Sequence, residues 1–84
     1  MTHAKIELFA GAKEAMDGQS CILVQLPASE ATATEILHAI SAQYPCLESL
    51  ANRSRLAVNN VYASPVQQID CQSAIALIPP VSGG

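Results

Sequence analysis

Apolar residues recur along this chain with two different periods, and each change of period marks an element. Over residues 4–10, Ile6 and Leu8 fall on one side of an alternation and Lys5, Glu7 and Phe9 on the other, which predicts a half-buried strand. Residues 20–26 alternate again, with Ile22, Val24 and Leu26 against Cys21, Leu23 and Gln25, until Pro27 stops the run. The segment between them, 11–18, reads as a turn region with room for one helical turn at 12–16, closed by Asp17-Gly18. Two strands in succession predict an opening hairpin with a long loop.

The period then lengthens. Thr32-Ala33-Thr34-Glu35 matches a capping box, in which a hydroxyl and a carboxylate satisfy the free N–H groups at a helix start. Ala33, Ile36, Leu37, Ile40 and Tyr44 follow at helical spacing and make one apolar stripe. Pro45 ends the helix, because the residue before a proline resists helical geometry. Leu47 and Leu50 suit a short helical turn on the same core. Residues 55–59 predict a third strand with Leu56 and Val58 inward, and Asn59-Asn60 signals a turn. A short strand at 61–63 is stopped by Pro65. Residues 66–72 read as polar and turn-like, and 73–78 as the last strand, with Ile75 and Leu77 inward.

One helix must therefore cover one face of a mixed sheet, an α+β architecture. Residues 1–78 form one expected domain, and residues 79–84 an extended tail.

Composition narrows the picture. Half of the 84 residues are hydrophobic, yet there is no Trp, one Phe and two Tyr, so the core must be aliphatic. A domain this small buries only about 60–65% of the surface its unfolded chain exposes, so that core must be used efficiently. The net charge is −3, and Lys5, Lys13, Arg53 and Arg55 form no basic run. This argues against nucleic acid and against an acidic membrane surface. No apolar run approaches a membrane span, and Met1-Thr2-His3-Ala4-Lys5 lacks the apolar stretch of a secretory signal.

Cys21, Cys46 and Cys71 contain no close ligand pair for zinc and suggest no disulfide framework. They read as small apolar filler in a reducing, cytosolic setting. Cys46 could begin a short helix, where a thiolate is favoured, but filler is the simpler reading. His3 and His38 have no metal-ligand partners at suitable spacing. Glu30, Glu35 and Glu48 fit capping and solvation better than acid–base work. No nucleophile elbow or phosphate loop occurs.

The chemistry concentrates in Pro79-Pro80-Val81-Ser82-Gly83-Gly84. Two prolines cannot continue a ladder and hold the chain extended. The glycines that follow have no side chain to obstruct a narrow channel. A slim carboxylate delivered away from the body suits activation in another protein's active site.

This strand and tail, from Ala74 to Gly84, resemble the C-terminus of molybdopterin synthase small subunits. That family often ends in a hydrophobic strand, then Pro-Pro, Val or Ile, Ser or Thr, and Gly-Gly. Ile6-Glu7-Leu8-Phe9-Ala10 is similar to its first strand, and Leu56-Ala57-Val58-Asn59 resembles its Ala-Val-Asn segment. One departure stands out: the family usually enters its last strand through an acidic, Gly-containing turn, and here Asp70-Cys71-Gln72-Ser73-Ala74 replaces it.

The resemblance implies a β-grasp (ubiquitin-like) fold, with a sheet of four to five strands, and a sulfur-carrier cycle. An activating enzyme of the ubiquitin-activating type would adenylate Gly84 with ATP, and a sulfur donor enzyme would convert it to a thiocarboxylate. The large synthase subunit would take in Pro79, Pro80, Val81, Ser82 and Gly83 as the tail. Sulfur would pass to a cyclic pyranopterin phosphate, building the dithiolene of molybdopterin inside a heterotetramer. The chain would bind no permanent cofactor or metal and would be a donor subunit, with the catalytic residues on its partner.

By the same resemblance, Phe9, Tyr62 and Ile78 match subunit-contact positions and would form an apolar patch around the root of the tail. Alternatively, these three residues cap the edge of the core. Carriers for thiamine or tRNA thiolation, and protein modifiers, would use the same glycines. A β-grasp interaction module with an inert end is the reading from a different class.

Overall fold

The first alternation forms β1, Thr2–Leu8, which buries Ala4, Ile6 and Leu8 and exposes the residues between them. It starts two residues earlier than the sequence pattern and stops before Phe9, where Ala10 takes a positive φ of 50° and opens α1, Ala10–Ala15. The computed structural model describes residues 2–79. Asp17 and Gly18, both at positive φ, turn the chain into β2, Cys21–Leu26. β2 pairs antiparallel with β1 from Thr2↔Leu26 to Glu7↔Cys21, so the expected hairpin forms, its loop filled by α1.

β3, Glu30–Thr32, leads directly into α2, Ala33–Gln43. The capping box is present on both sides. Glu35 N–H donates to Thr32 Oγ1 at 3.1 Å, and Thr32 N–H donates to Glu35 Oε1 at 2.8 Å. The helix buries Ala33, Ile36 and Ile40 and ends before Pro45. A 3₁₀ turn at Pro45–Leu47 and the four-residue α3, Glu48–Ala51, then place Leu47 and Ala51 in the core.

β4, Arg55–Val58, and β5, Val61–Tyr62, are joined by Asn59 and Asn60 at φ 51° and 69°. Two successive positive φ values are what a two-residue hairpin needs for its twist to match its strands. β6, Gln68–Asp70, precedes β7, Ile75–Ile78.

Within residues 2–79, five strands form one sheet in the order β2-β1-β7-β4-β5, with β1 and β7 parallel and the other neighbours antiparallel. α2 covers the inner face. This is the β-grasp arrangement, and its core is aliphatic: Ile6, Val24, Ile36, Ile40, Leu47, Leu56, Ile75 and Leu77 are all sealed from solvent.

Two expectations need correction. Residues 66–72 are not merely turn. They contain β6, which pairs antiparallel with β3 (Ala31↔Ile69) in a separate two-stranded ribbon and buries Ile69. One apolar residue between Gln68 and Asp70 is too little alternation to read, and the ribbon depends on a partner 38 positions away at Ala31↔Ile69. The cysteines do not share one role: Cys71 is buried filler, Cys21 is half-buried, and Cys46 is exposed, its Sγ 3.3 Å from Met16 Sδ.

The glycine-free turn after β6 closes through its own side chain. Gln72 N–H donates to Asp70 Oδ1 at 2.9 Å, and Ser73 N–H donates to the Asp70 carbonyl at 2.9 Å. None of residues 70–74 adopts a positive φ, so no glycine is required.

Two outcomes follow. Thr32→Ala should cost about 1 kcal/mol, read as a lower urea midpoint at unchanged slope. Burial first, and then the nearby carboxylates of Asp70 and Glu30, push the Cys71 thiol above its ordinary value of 9.0. The unfolded chain therefore loses this proton before the folded one does. The stability tied to the thiol is complete below pH 9.0 and falls as pH rises towards the folded value. Denaturation midpoints measured from pH 7 to 11 should show this alkaline decline, and Cys71→Ala should flatten it.

Candidate functional site

The outer face of the sheet is built from the residues that alternation turns away from α2. At one level the ladder sets Glu7, Ala76, Ala57 and Tyr62 side by side across β1, β7, β4 and β5. Two alanines at the centre leave a depression. It is a groove of about 290 Å³, with Ala57, Ala74 and Ala76 in its lining and Phe9, Tyr62 and Ile78 standing around them.

Phe9 is 46% exposed and Tyr62 55%, large fractions for side chains of this size, while Ile78 is half-buried. The structure thus brings the three sequence-singled residues together at one groove. They do not cap the inner core, which lies on the other side of the sheet. Arg55 stands at the rim with its guanidinium carbon 4.6 Å from the centre of the Tyr62 ring, a cation–π contact that orients the phenol. Glu7 brings a carboxylate to the opposite wall.

The alanine floor and the two charged rim residues were missed by sequence reasoning. The signal was there: Ala76 lies between inward Ile75 and Leu77, and Ala57 follows inward Leu56. Small residues at outward positions of central strands leave room for a partner's side chains.

β7 forms the root of the tail. Ile75, Ala76 and Leu77 pair with Ile6, Glu7 and Leu8 on one side, and Ile75 to Ile78 pair with Val58 to Arg55 on the other. A strand held by both neighbours cannot slip without breaking two ladders. Pro79, half-buried, is the last described residue, so the chain leaves the sheet from a fixed point beside Ile78 and the groove. Pro80, Val81, Ser82, Gly83 and Gly84 lie outside the described residues.

Other chemistry is sparse. Among the described residues no three His, Cys, Asp or Glu side chains gather as a metal would need, and no helix is long and apolar enough to cross a membrane. His3 and His38 are exposed, and Glu35 is occupied in the helix cap.

Comparison with known proteins agrees with this geometry. The ThiS family model matches residues 6–84. The molybdopterin synthase sulfur carrier subunit of Dictyostelium discoideum is 43% identical over 82 residues, covering 95% of this chain and 94% of that one. The subunit of the same description from Arabidopsis thaliana is 31% identical over 80 residues, covering 95% and 81%. The crystal structure of SAMP1, the small archaeal modifier protein 1 of Haloferax volcanii, superposes with a TM-score of 0.77 at 27% identity, over 99% of this chain and 100% of that one. A family match that runs through the last strand and tail, and relatives that align over nearly the whole length, lead to one conclusion: the chain belongs to the ThiS family, as a relative of the molybdopterin synthase sulfur carrier subunits.

Proposed function

We propose that this chain is the sulfur-carrying small subunit of a molybdopterin synthase, with Gly84 as the carrier atom's anchor. The observation that carries this reading is the two-sided clamp on β7, which starts the tail at a fixed point next to an apolar groove. A partner seated on that groove meets the chain where it leaves the sheet at Pro79.

The cycle has three steps. A ubiquitin-activating-type enzyme joins the Gly84 carboxylate to the adenylate of ATP and releases pyrophosphate. A sulfur donor enzyme displaces AMP and leaves a thiocarboxylate. The large subunit then encloses Gly83 and Gly84, and its own residues catalyse sulfur transfer to the cyclic pyranopterin phosphate. The small subunit contributes positioning: Pro79 and Pro80 stiffen the approach, Val81 and Ser82 bridge it, and Gly83 gives clearance. Phe9, Tyr62 and Ile78 anchor the large subunit in a heterotetramer. The chain itself carries no resident cofactor. Its three free cysteines suit the reducing cytosol.

The likeness to an archaeal modifier protein favours a second reading, conjugation of Gly84 to a lysine of another protein. Both readings share the adenylate and diverge at the nucleophile, and the 43% identity to a synthase subunit favours sulfur delivery.

Incubation with activating enzyme, ATP and a sulfur source should replace one oxygen at Gly84 by sulfur, visible in the intact mass. A variant with one residue added after Gly84 should show no such gain. Absence of thiocarboxylate, or an isopeptide adduct in its place, would reject sulfur delivery. Phe9→Asp and Ile78→Asp should each weaken pairing with the large subunit by about thirtyfold or more, the range of an interface hot spot. Their melting temperatures should stay near that of the parent chain, since both side chains lie outside the inner core.

A further inference from the structure

The two edges of the five-stranded sheet are unequal. β5 has two residues, too short to template another strand, whereas β2 has six. The register sets Ile22 and Val24 opposite Ile6 and Ala4, and the Leu8 N–H donates to the Ser20 carbonyl at 2.8 Å. Hydrogen bonding alternates along an antiparallel ladder, so the backbone groups of Cys21, Leu23 and Gln25 face the open side.

Two side chains from the C-terminal end of α2 meet them there. Gln43 Nε2 donates to the Gln25 carbonyl and Gln43 Oε1 accepts from the Gln25 N–H, each at 2.8 Å. The Tyr44 hydroxyl donates to the Leu23 carbonyl at 2.7 Å. A primary amide carries donor and acceptor side by side, as a facing residue in a ladder does. Gln43 thus makes both bonds that a neighbouring strand would make to Gln25.

We propose that Gln43 and Tyr44 are a latch on the β2 edge, and that without it this edge pairs with the same edge of a second copy of the chain. The edge is self-complementary. A twofold axis at Leu23 sets Leu23 against Leu23 and Cys21 against Gln25, and joins two sheets into one. Leu23 is 58% exposed on its outer side, so the pairing also buries apolar surface. With the latch closed, an incoming strand must first break three intramolecular bonds at this edge. None of the residues lining the groove lies on β2, so the latch stands apart from the proposed carrier site.

The test compares the parent chain with Gln43→Met/Tyr44→Phe, which keeps side-chain length and ring but removes all three bonds. Sedimentation across a concentration series, with reductant to exclude Cys46 disulfides, reads the oligomeric state. Amide exchange followed by NMR reads the Gln25 N–H. In dilute solution that amide should exchange roughly tenfold faster in the variant, as expected for loss of a protecting bond. At rising concentration the variant should dimerise while the parent chain stays monomeric, and a further Leu23→Lys should abolish the dimer by placing like charges face to face.

The latch is overturned if the variant stays monomeric with unchanged exchange at Gln25, or if the parent chain dimerises equally well. It is equally overturned by a dimer that Leu23→Lys leaves intact. Should the double variant not fold, Gln43→Met alone carries the same exchange and association measurements.

Discussion

The pairing of β7 on both sides is the constraint on which the rest depends. One ladder runs parallel to β1 and the other antiparallel to β4, so the last strand sits at the centre of the sheet, not at an edge. The parallel pair brings the first and last strands of the fold together across a separation of 69 residues at Ile6↔Ile75. A chain end that starts from this position begins at a rigid point. The same ladder sets Ala76 beside Ala57 and so cuts the groove next to that point. Tail root and docking face are therefore products of one register. A one-residue slip would turn Ile75 and Leu77 outward and destroy both together.

Holding that register falls to a small aliphatic core. The inward residues of β1, β2, β4 and β7 share one buried cluster with Ile36 and Ile40 of α2, and Leu47 and Ile69 belong to it. Each fully buried side chain of this kind contributes about 1.5–3 kcal/mol relative to exposure. With so few large residues, few are spared for the outer face. At the groove that face has Ala57, Ala74 and Ala76 at its centre, with Phe9, Tyr62 and Ile78 as the large apolar groups around them, and Leu23 stands exposed on β2. The division of labour follows from size: a chain this short can fill one side of its sheet and must leave the other to a partner or to water.

Much of this was legible in advance. The alternations at Ile6/Leu8, Ile22/Val24/Leu26 and Ile75/Leu77, and the box at Thr32 and Glu35, are local signals. Each strand or cap is decided by residues within a few positions of one another. The β3–β6 ribbon was not legible, because three-residue strands carry almost no period and exist only through their pairing. Asp70 doing the work of a missing glycine was also hidden, since an Asx turn looks in sequence like any polar stretch.

Taken alone, the sequence determined the order of the main elements, the inward side chains of the longer strands, both ends of α2 and the resemblance to sulfur carriers at its tail. All are written in near-neighbour spacing or in contiguous motif. Only tertiary structure decided that Phe9, Tyr62 and Ile78 share one groove, that alanines floor it, and that Gln43 reaches back to Gln25. It also decided that Cys46 is exposed while Cys71 is sealed. The physical reason is the same in each case. These relations join residues brought close by sheet register and helix packing, and proximity across the fold is set by the sum of many contacts, not by any one stretch of chain.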